Sequence, residues 1–140
     1  MVDLHGQYLK IKDQVDSAIQ RVIDSTAFIR GEDVRKFQDE LSAYLGVKHT
    51  IACGNGTDAL QVALMTLNLE PGDEVITTPF TFIATVEVIE LLGLKPVFVD
   101  VRPDTFNMDP ELLEQALSER TRAIVPVHLF GQCADMEAIM

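Results

Sequence analysis

The sequence predicts an α/β fold in which a mainly parallel sheet carries helices on both faces and follows two N-terminal helices. Two observations lead there. From residue 49 onward, short β-rich runs alternate with helix-prone stretches in the order β-α-β-α-β-α-β, and strands joined by crossover helices of that length run parallel, with right-handed connections. Before residue 49 the apolar residues recur instead at three- and four-residue steps, the period of amphipathic helices. The chain is therefore expected to comprise a helical segment over residues 1–48 and an α/β portion over residues 49–140.

Tyr8, Ile11, Val15, Ile19 and Val22 form the stripe of the first helix, with Lys10, Asp13 and Arg21 off it. A break over residues 25–31 precedes a second helix, whose face is Val34, Phe37, Leu41, Tyr44 and Leu45 and whose stop is Gly46. Phe28 and Ile29 in the break read more simply as core plugs than as a contact to a partner subunit. Strands are expected at residues 50–53, 74–78, 96–100 and 123–128, and helices at 57–67, 81–92 and 110–117. Pro71-Gly72 and Gly93 punctuate helix ends, while Asp109-Pro110-Glu111 is a cap followed by proline at the first helical position. Asp135 to Met140 opens a further helix that ends on apolar residues without a glycine cap, the pattern of a truncated chain.

Composition narrows the function. With 47% hydrophobic and 24% charged residues the chain is globular in type, and 22 acidic against 11 basic residues give a formal charge of −11. That balance argues against a nucleic-acid or anionic-membrane surface, so any anionic ligand must be held by local donors. The N-terminus has neither the basic nor the apolar region of a signal peptide and no run approaches a membrane span, which points to a cytoplasmic protein. Cys53 and Cys133 are too few and too far apart for a disulfide framework or a metal site, and are expected as free, buried thiols.

The stretch Cys53-Gly-Asn-Gly-Thr-Asp-Ala-Leu60 carries the clearest chemistry. It reads as strand, tight turn, helix. Gly54 and Gly56 allow positive φ and close approach of a ligand to the main chain, and the first N–H groups of the helix offer partial positive charge. Such a corner suits a phosphate. Thr57 is placed at the N-cap, its hydroxyl free to bond the helix or a phosphate oxygen, and Asp58 must turn its carboxylate away and leave its N–H as the useful part. Gly54, Gly56 and Ala59 also match the loose dinucleotide pattern, but residues 74–78 end in Thr77-Thr78-Pro79 with no acid to hold a ribose. In parallel α/β sheets ligands lie beyond the carboxyl ends of the strands. The loops expected to converge there are 54–58, 79–82, 101–108 and 128–133. In the second, Phe80 or Phe82 could stack on a flat ring or simply join the core. The third reads as a turn and cap region, and His128 in the fourth as a hydrogen-bonded structural histidine.

Taken together, Gly56-Thr57-Asp58-Ala59-Leu60, Pro71-Gly72-Asp73-Glu74-Val75-Ile76, Phe80-Thr81-Phe82-Ile83-Ala84-Thr85, Pro96-Val97-Phe98-Val99-Asp100 and Pro126-Val127-His128-Leu129-Phe130-Gly131-Gln132 resemble one family. The chain is similar to the N-terminal part of the pyridoxal-phosphate-dependent nucleotide-sugar aminotransferases, the DegT group of fold-type I enzymes. The resemblance implies the first part of the fold-type I large domain. It implies that Gly56, Thr57 and the N–H of Asp58 grip the phosphate of pyridoxal 5'-phosphate and that Phe82 stacks on its pyridine ring. Asn55 stands where many relatives have serine. The substrates implied are a keto nucleotide-sugar and an amino donor such as glutamate, in surface or antibiotic sugar biosynthesis, and the oligomer implied is a homodimer. The family's lysine that binds the cofactor covalently, and its aspartate facing the pyridine nitrogen, have no counterpart in these 140 residues, so no catalytic residue is assigned and the isolated chain is expected to be inactive. Lysines 10, 12, 36, 48 and 95 fall on helical faces or on turns leading into strands. A same-fold sugar dehydratase, or an incomplete fragment that binds only an anion or a partner subunit, are the alternatives.

Overall fold

The computed structural model describes residues 2–140. They form two compact units that divide between Ala52 and Cys53. The first holds α1 (Leu4–Ser25) and α2 (Glu32–Leu45). Asp3 caps α1 by accepting from the Gly6 N–H at 2.8 Å. At the other end of α2, Gly46 takes φ +67, and Val47 N–H reaches back to Ser42 O at 3.1 Å, the paired closure that a left-handed glycine permits. Arg21 and Asp33 bridge the two helices at 3.0 Å. No residue of α1 or α2 is buried within this chain; along the apolar stripe of α1, Tyr8, Val15 and Val22 are half-buried and Ile11 and Ile19 exposed. Phe28 and Ile29 are 64% and 90% exposed, so they are not core plugs; the two-helix unit has no interior deep enough to take them.

The second unit is built on three parallel strands, β1 (Glu74–Thr77), β2 (Lys95–Phe98) and β3 (Thr121–Ile124), in the order β2-β1-β3. Every residue of β1 is buried. Successive residues of a strand face opposite ways, and the core divides accordingly. Val75 packs with Leu64, Val88, Ile89 and Leu94, which bring α3 (Gly56–Met65) and α4 (Ala84–Leu91) onto one face. Ile76 packs with Val99, Met108 and Leu113 on the other, where a short 3-10 turn (Pro110–Leu112) runs into α5 (Leu113–Ala116). Ile139 of the terminal α6 (Met136–Ile139) joins the second cluster. Pro96 is tolerated in β2 because the flanking Lys95 and Val99 N–H groups donate to the carbonyls of Asp73, just ahead of β1, and Thr77, which turns the intervening proline toward the open edge.

The expected strand at residues 50–53 does not form. A strand exists by its ladder, and no neighbour pairs with this run among the described residues. Thr50 is instead tied to α2, its carbonyl accepting from Gln38 Nε2 at 2.7 Å and its hydroxyl from Ser42 at 2.8 Å. The three strands that do form are shorter than expected, four residues each.

One carboxylate fastens the amino ends of all three strands. Glu74, the first residue of β1, accepts from Ser118 Oγ at 2.6 Å just ahead of β3 and from Lys95 Nζ at 2.9 Å at the start of β2. The Ser118 hydroxyl and then the Lys95 ammonium hold its carboxyl below the ordinary glutamate range. A depressed folded pKa means that the stabilisation is fully present above the ordinary value and is lost as pH falls through the folded one. Glu74→Gln is therefore expected to lower the urea midpoint at pH 7, with the gap to the parent chain closing as the pH is taken below the ordinary glutamate range. A gap of the same size at every pH would show that the charge is irrelevant.

Candidate functional site

The helix start at residues 54–58 is closed by a different residue from the one expected. Asn55, extended at φ −166, is the N-cap of α3, and its Oδ1 accepts from Asp58 N–H at 3.0 Å. Its Nδ2 donates to Asp58 Oδ2 at 3.1 Å. Thr57 is therefore the second residue of the helix rather than its cap, and the Asp58 N–H is already engaged. Asn is at least as strong a cap as Thr, and the spacing Asn55-x-x-Asp58 is the signal that could have found it. The Asp58 carboxylate folds back beside Gly54, where a Cβ would fall 2.5 Å from Oδ2. A side chain at 54 would therefore have to displace the tip of Asp58, and neither Gly54 nor Gly56 is among the positive-φ glycines.

The donors left at this corner are the Gly56 and Thr57 N–H groups, which helix geometry deprives of intrahelical acceptors, and the Thr57 hydroxyl on a half-buried residue. Around Gly56 the space is open, with no atom within 4 Å of where a Cβ would stand. A ligand can therefore reach the main chain directly.

The place of this corner in the sheet follows from its connections. Gly72 N–H donates to Gly93 O at 2.8 Å. The turn leading from α3 into β1 and the turn leading from α4 into β2 thus lie together at the amino ends of the strands. The helices pack side by side through Leu64 and Val88, so both begin at the carboxyl end. Phe82, 76% exposed, sits in the loop between β1 and α4 at that end, and its carbonyl accepts from Thr85 N–H at 3.2 Å. Phe80 is exposed as well, but its ring lies 5.5 Å from that of Phe106 and links the loop after β1 to the loop after β2.

The remaining two loops are joined by a residue whose role the sequence did not disclose. Asn107, 4% exposed, accepts from Leu129 N–H at 3.1 Å and donates from Nδ2 to the carbonyls of Gln132 and Cys133 at 3.2 and 3.1 Å. His128 accepts through Nδ1 from Ala134 N–H at 3.0 Å, the structural role expected of it. The cysteines are free as expected, but both are exposed rather than buried, because each stands in a loop and not on the inward face of a strand.

The pattern of the DegT/DnrJ/EryC1/StrS aminotransferase family matches residues 9–140. The chain belongs to that family. Among relatives of this aminotransferase-family chain, the UDP-2-acetamido-2-deoxy-3-oxo-D-glucuronate aminotransferase of Pseudomonas aeruginosa is 52% identical over 99% of the chain, which spans 38% of that protein. A crystal structure of a family aminotransferase from Brucella abortus superposes with a TM-score of 0.93 at 46% identity, covering 99% of this chain and 39% of the other. NtdA from Bacillus subtilis, solved with bound cofactor PMP, superposes with a TM-score of 0.89 at 36% identity over 93% of this chain and 30% of its own. Among the described residues no helix is long and apolar enough to cross a membrane.

Removing the cap is expected to cost measurable stability without rearranging the sheet. Asn55→Ala should lower the unfolding free energy by about 1 kcal/mol, the usual worth of an N-cap, read from chemical denaturation. A loss within experimental scatter would show that Asn55 is not the cap in solution.

Proposed function

We propose that this chain supplies the N-terminal, cofactor-phosphate portion of a pyridoxal-phosphate-dependent aminotransferase that moves an amino group from a donor such as glutamate onto a keto nucleotide-sugar. The observation that carries the reading is the 52% identity, across nearly the whole chain, to an aminotransferase whose name specifies a UDP-linked keto sugar. The corner supports it chemically. Gly56 and Thr57 would hold the phosphate of pyridoxal 5'-phosphate through two main-chain N–H groups and one hydroxyl, at a helix start where the dipole favours an anion. Asp58 completes the turn, its carboxylate held aside by Asn55. Phe82 offers an exposed ring at the same end of the sheet for the flat face of the cofactor. Bound there, pyridoxal phosphate supplies an electron sink for breaking a C–H bond next to nitrogen.

The residues of this chain bind and orient in this reading; they do not move the proton. Lys95 is drawn to Glu74 at the amino end of the sheet, opposite Phe82. Lys36 is paired with Glu32 at 2.7 Å, and Lys12 with Asp16. The 140 residues are read as a 1–48 helical segment and a 49–140 cofactor-binding portion of a cytoplasmic, homodimeric enzyme in surface or antibiotic sugar biosynthesis. Both subunits of such a dimer would bring exposed apolar residues such as Ile19, Ile23 and Phe28.

Two measurements test the reading. Thr57→Val and Phe82→Ala are each expected to weaken binding of pyridoxal phosphate by about tenfold, the scale of one charge-assisted hydrogen bond or one ring stack, measured by equilibrium dialysis; affinities equal to the parent's would remove the cofactor from this corner. Borohydride treatment of the chain with pyridoxal phosphate, followed by peptide mapping, is expected to trap no single lysine. Stoichiometric labelling of one lysine would sink the view that the chain lacks the covalent anchor.

A further inference from the structure

We propose that Asn107 is the positioning residue of this site, a buried amide that sets the conformation of residues 128–134 so that His128 and Phe130 meet the sugar substrate. This rests on the aminotransferase reading above and extends it to the substrate side. Loops that follow strands at the carboxyl end of a parallel sheet frame the ligand, and residues 128–134 follow β3 there.

Three features of the segment single out Asn107. First, nearly all of its hydrogen-bonding capacity is spent on chain 22 to 26 residues away: Oδ1 takes the Leu129 N–H and Nδ2 is shared by the Gln132 and Cys133 carbonyls. Its main chain is fixed as well, its carbonyl accepting from Arg102 N–H at 2.9 Å and its N–H donating to Thr105 Oγ1 at 3.3 Å. Second, it is anchored to the core through its neighbour Met108, 1% exposed and packed against Ile76 and Val99. Third, the segment it holds is bent in a way a free chain would not choose. Phe130 has φ +54, a region that bulky residues seldom occupy, followed by Gly131 at φ +84. Phe130 gains no burial in return, being 90% exposed. Strain held by surrounding bonds at an exposed aromatic is a mark of a working surface rather than of packing.

The same bonds fix the chemistry that the segment presents. His128 accepts a main-chain N–H through Nδ1, so the neutral ring carries its proton on Nε2 and is a donor there. A hydrogen-bond donor and an apolar ring two residues apart suit a sugar, which offers hydroxyl or carbonyl acceptors on its rim and C–H groups on its face. Asn107 touches neither sugar nor cofactor in this scheme; it acts through the loop.

The test combines Asn107→Ala and Asn107→Asp. Aspartate keeps the acceptor for Leu129 N–H but sets a carboxylate against two carbonyls. Amide hydrogen exchange on this chain is expected to quicken by about tenfold or more across residues 128–134 in the alanine variant, with the amides of β1 unchanged. The aspartate variant should keep Leu129 protected and release residues 132–134. Equal quickening in β1 and the loop, or none in the loop, would overturn the assignment. If the alanine variant does not fold, the site-resolved pattern of the aspartate variant decides. In a cofactor-loaded, full-length aminotransferase carrying this N-terminal portion, the aspartate variant should raise KM for the keto nucleotide-sugar by about tenfold with kcat within about threefold, the signature of lost substrate binding rather than lost chemistry. An unchanged KM would overturn the proposal even with a loosened loop. A wild-type holoenzyme that transfers no amino group would instead overturn the aminotransferase reading and this extension with it, while leaving the exchange result standing.

Discussion

Val75 and Ile76 are adjacent in β1, wholly buried, and point to opposite faces of the sheet. That single constraint organises the second unit. A parallel strand in the middle of a sheet must be covered on both sides, since its crossovers leave no polar face to present to water. Leu64, Val88 and Ile89 cover one side and Met108, Leu113 and Val99 the other. Because the covering helices are also the connections, their starts are delivered to the carboxyl end of the strands without further design. The phosphate-type corner at Gly56 and the aromatic at Phe82 owe their common end of the sheet to the apolar pairing beneath them.

The two ends of the sheet are then used differently. At the amino end a charge is neutralised: Glu74 is closed off by Lys95 and Ser118, and Gly72 and Gly93 bring the incoming turns together. At the carboxyl end polar groups are left open or spent on holding loops. The Asn55–Asp58 exchange closes the start of α3 but leaves the preceding N–H groups free. Asn107 closes the loop after β3, and the Phe80–Phe106 contact closes the loop after β1. The amino end is closed by an ion pair and a hydrogen bond, whereas the carboxyl end, beyond which parallel α/β sheets bind ligands, keeps free donors.

Much of this was legible in the residues. The three- and four-residue apolar steps gave both N-terminal helices, and Gly46, Pro71-Gly72, Gly93 and Asp109-Pro110 marked boundaries that the structure places within a few residues. The Asp109 cap is real, its side chain accepting from Glu111 N–H at 3.1 Å. The helix start at Gly56 to Asp58 and the loop position of Phe82 were legible because glycine turns and loop aromatics have local signatures. Asn55 was misjudged within the same motif: a cap is a choice between neighbouring side chains, and Thr57 and Asn55 both qualify by type.

By itself the sequence determined what is local, namely the period of each helix, the turn chemistry and the order β-α-β that makes the sheet parallel. Only the tertiary structure decided that residues 50–53 stay outside the ladder, that the two cysteines face solvent and that Phe28 and Ile29 remain uncovered. It alone revealed Asn107 as the joint between two loops. The reason is physical: a strand, a buried side chain and a long-range hydrogen bond each need a partner far away in the chain, and nothing in a residue's own neighbourhood states whether that partner arrives.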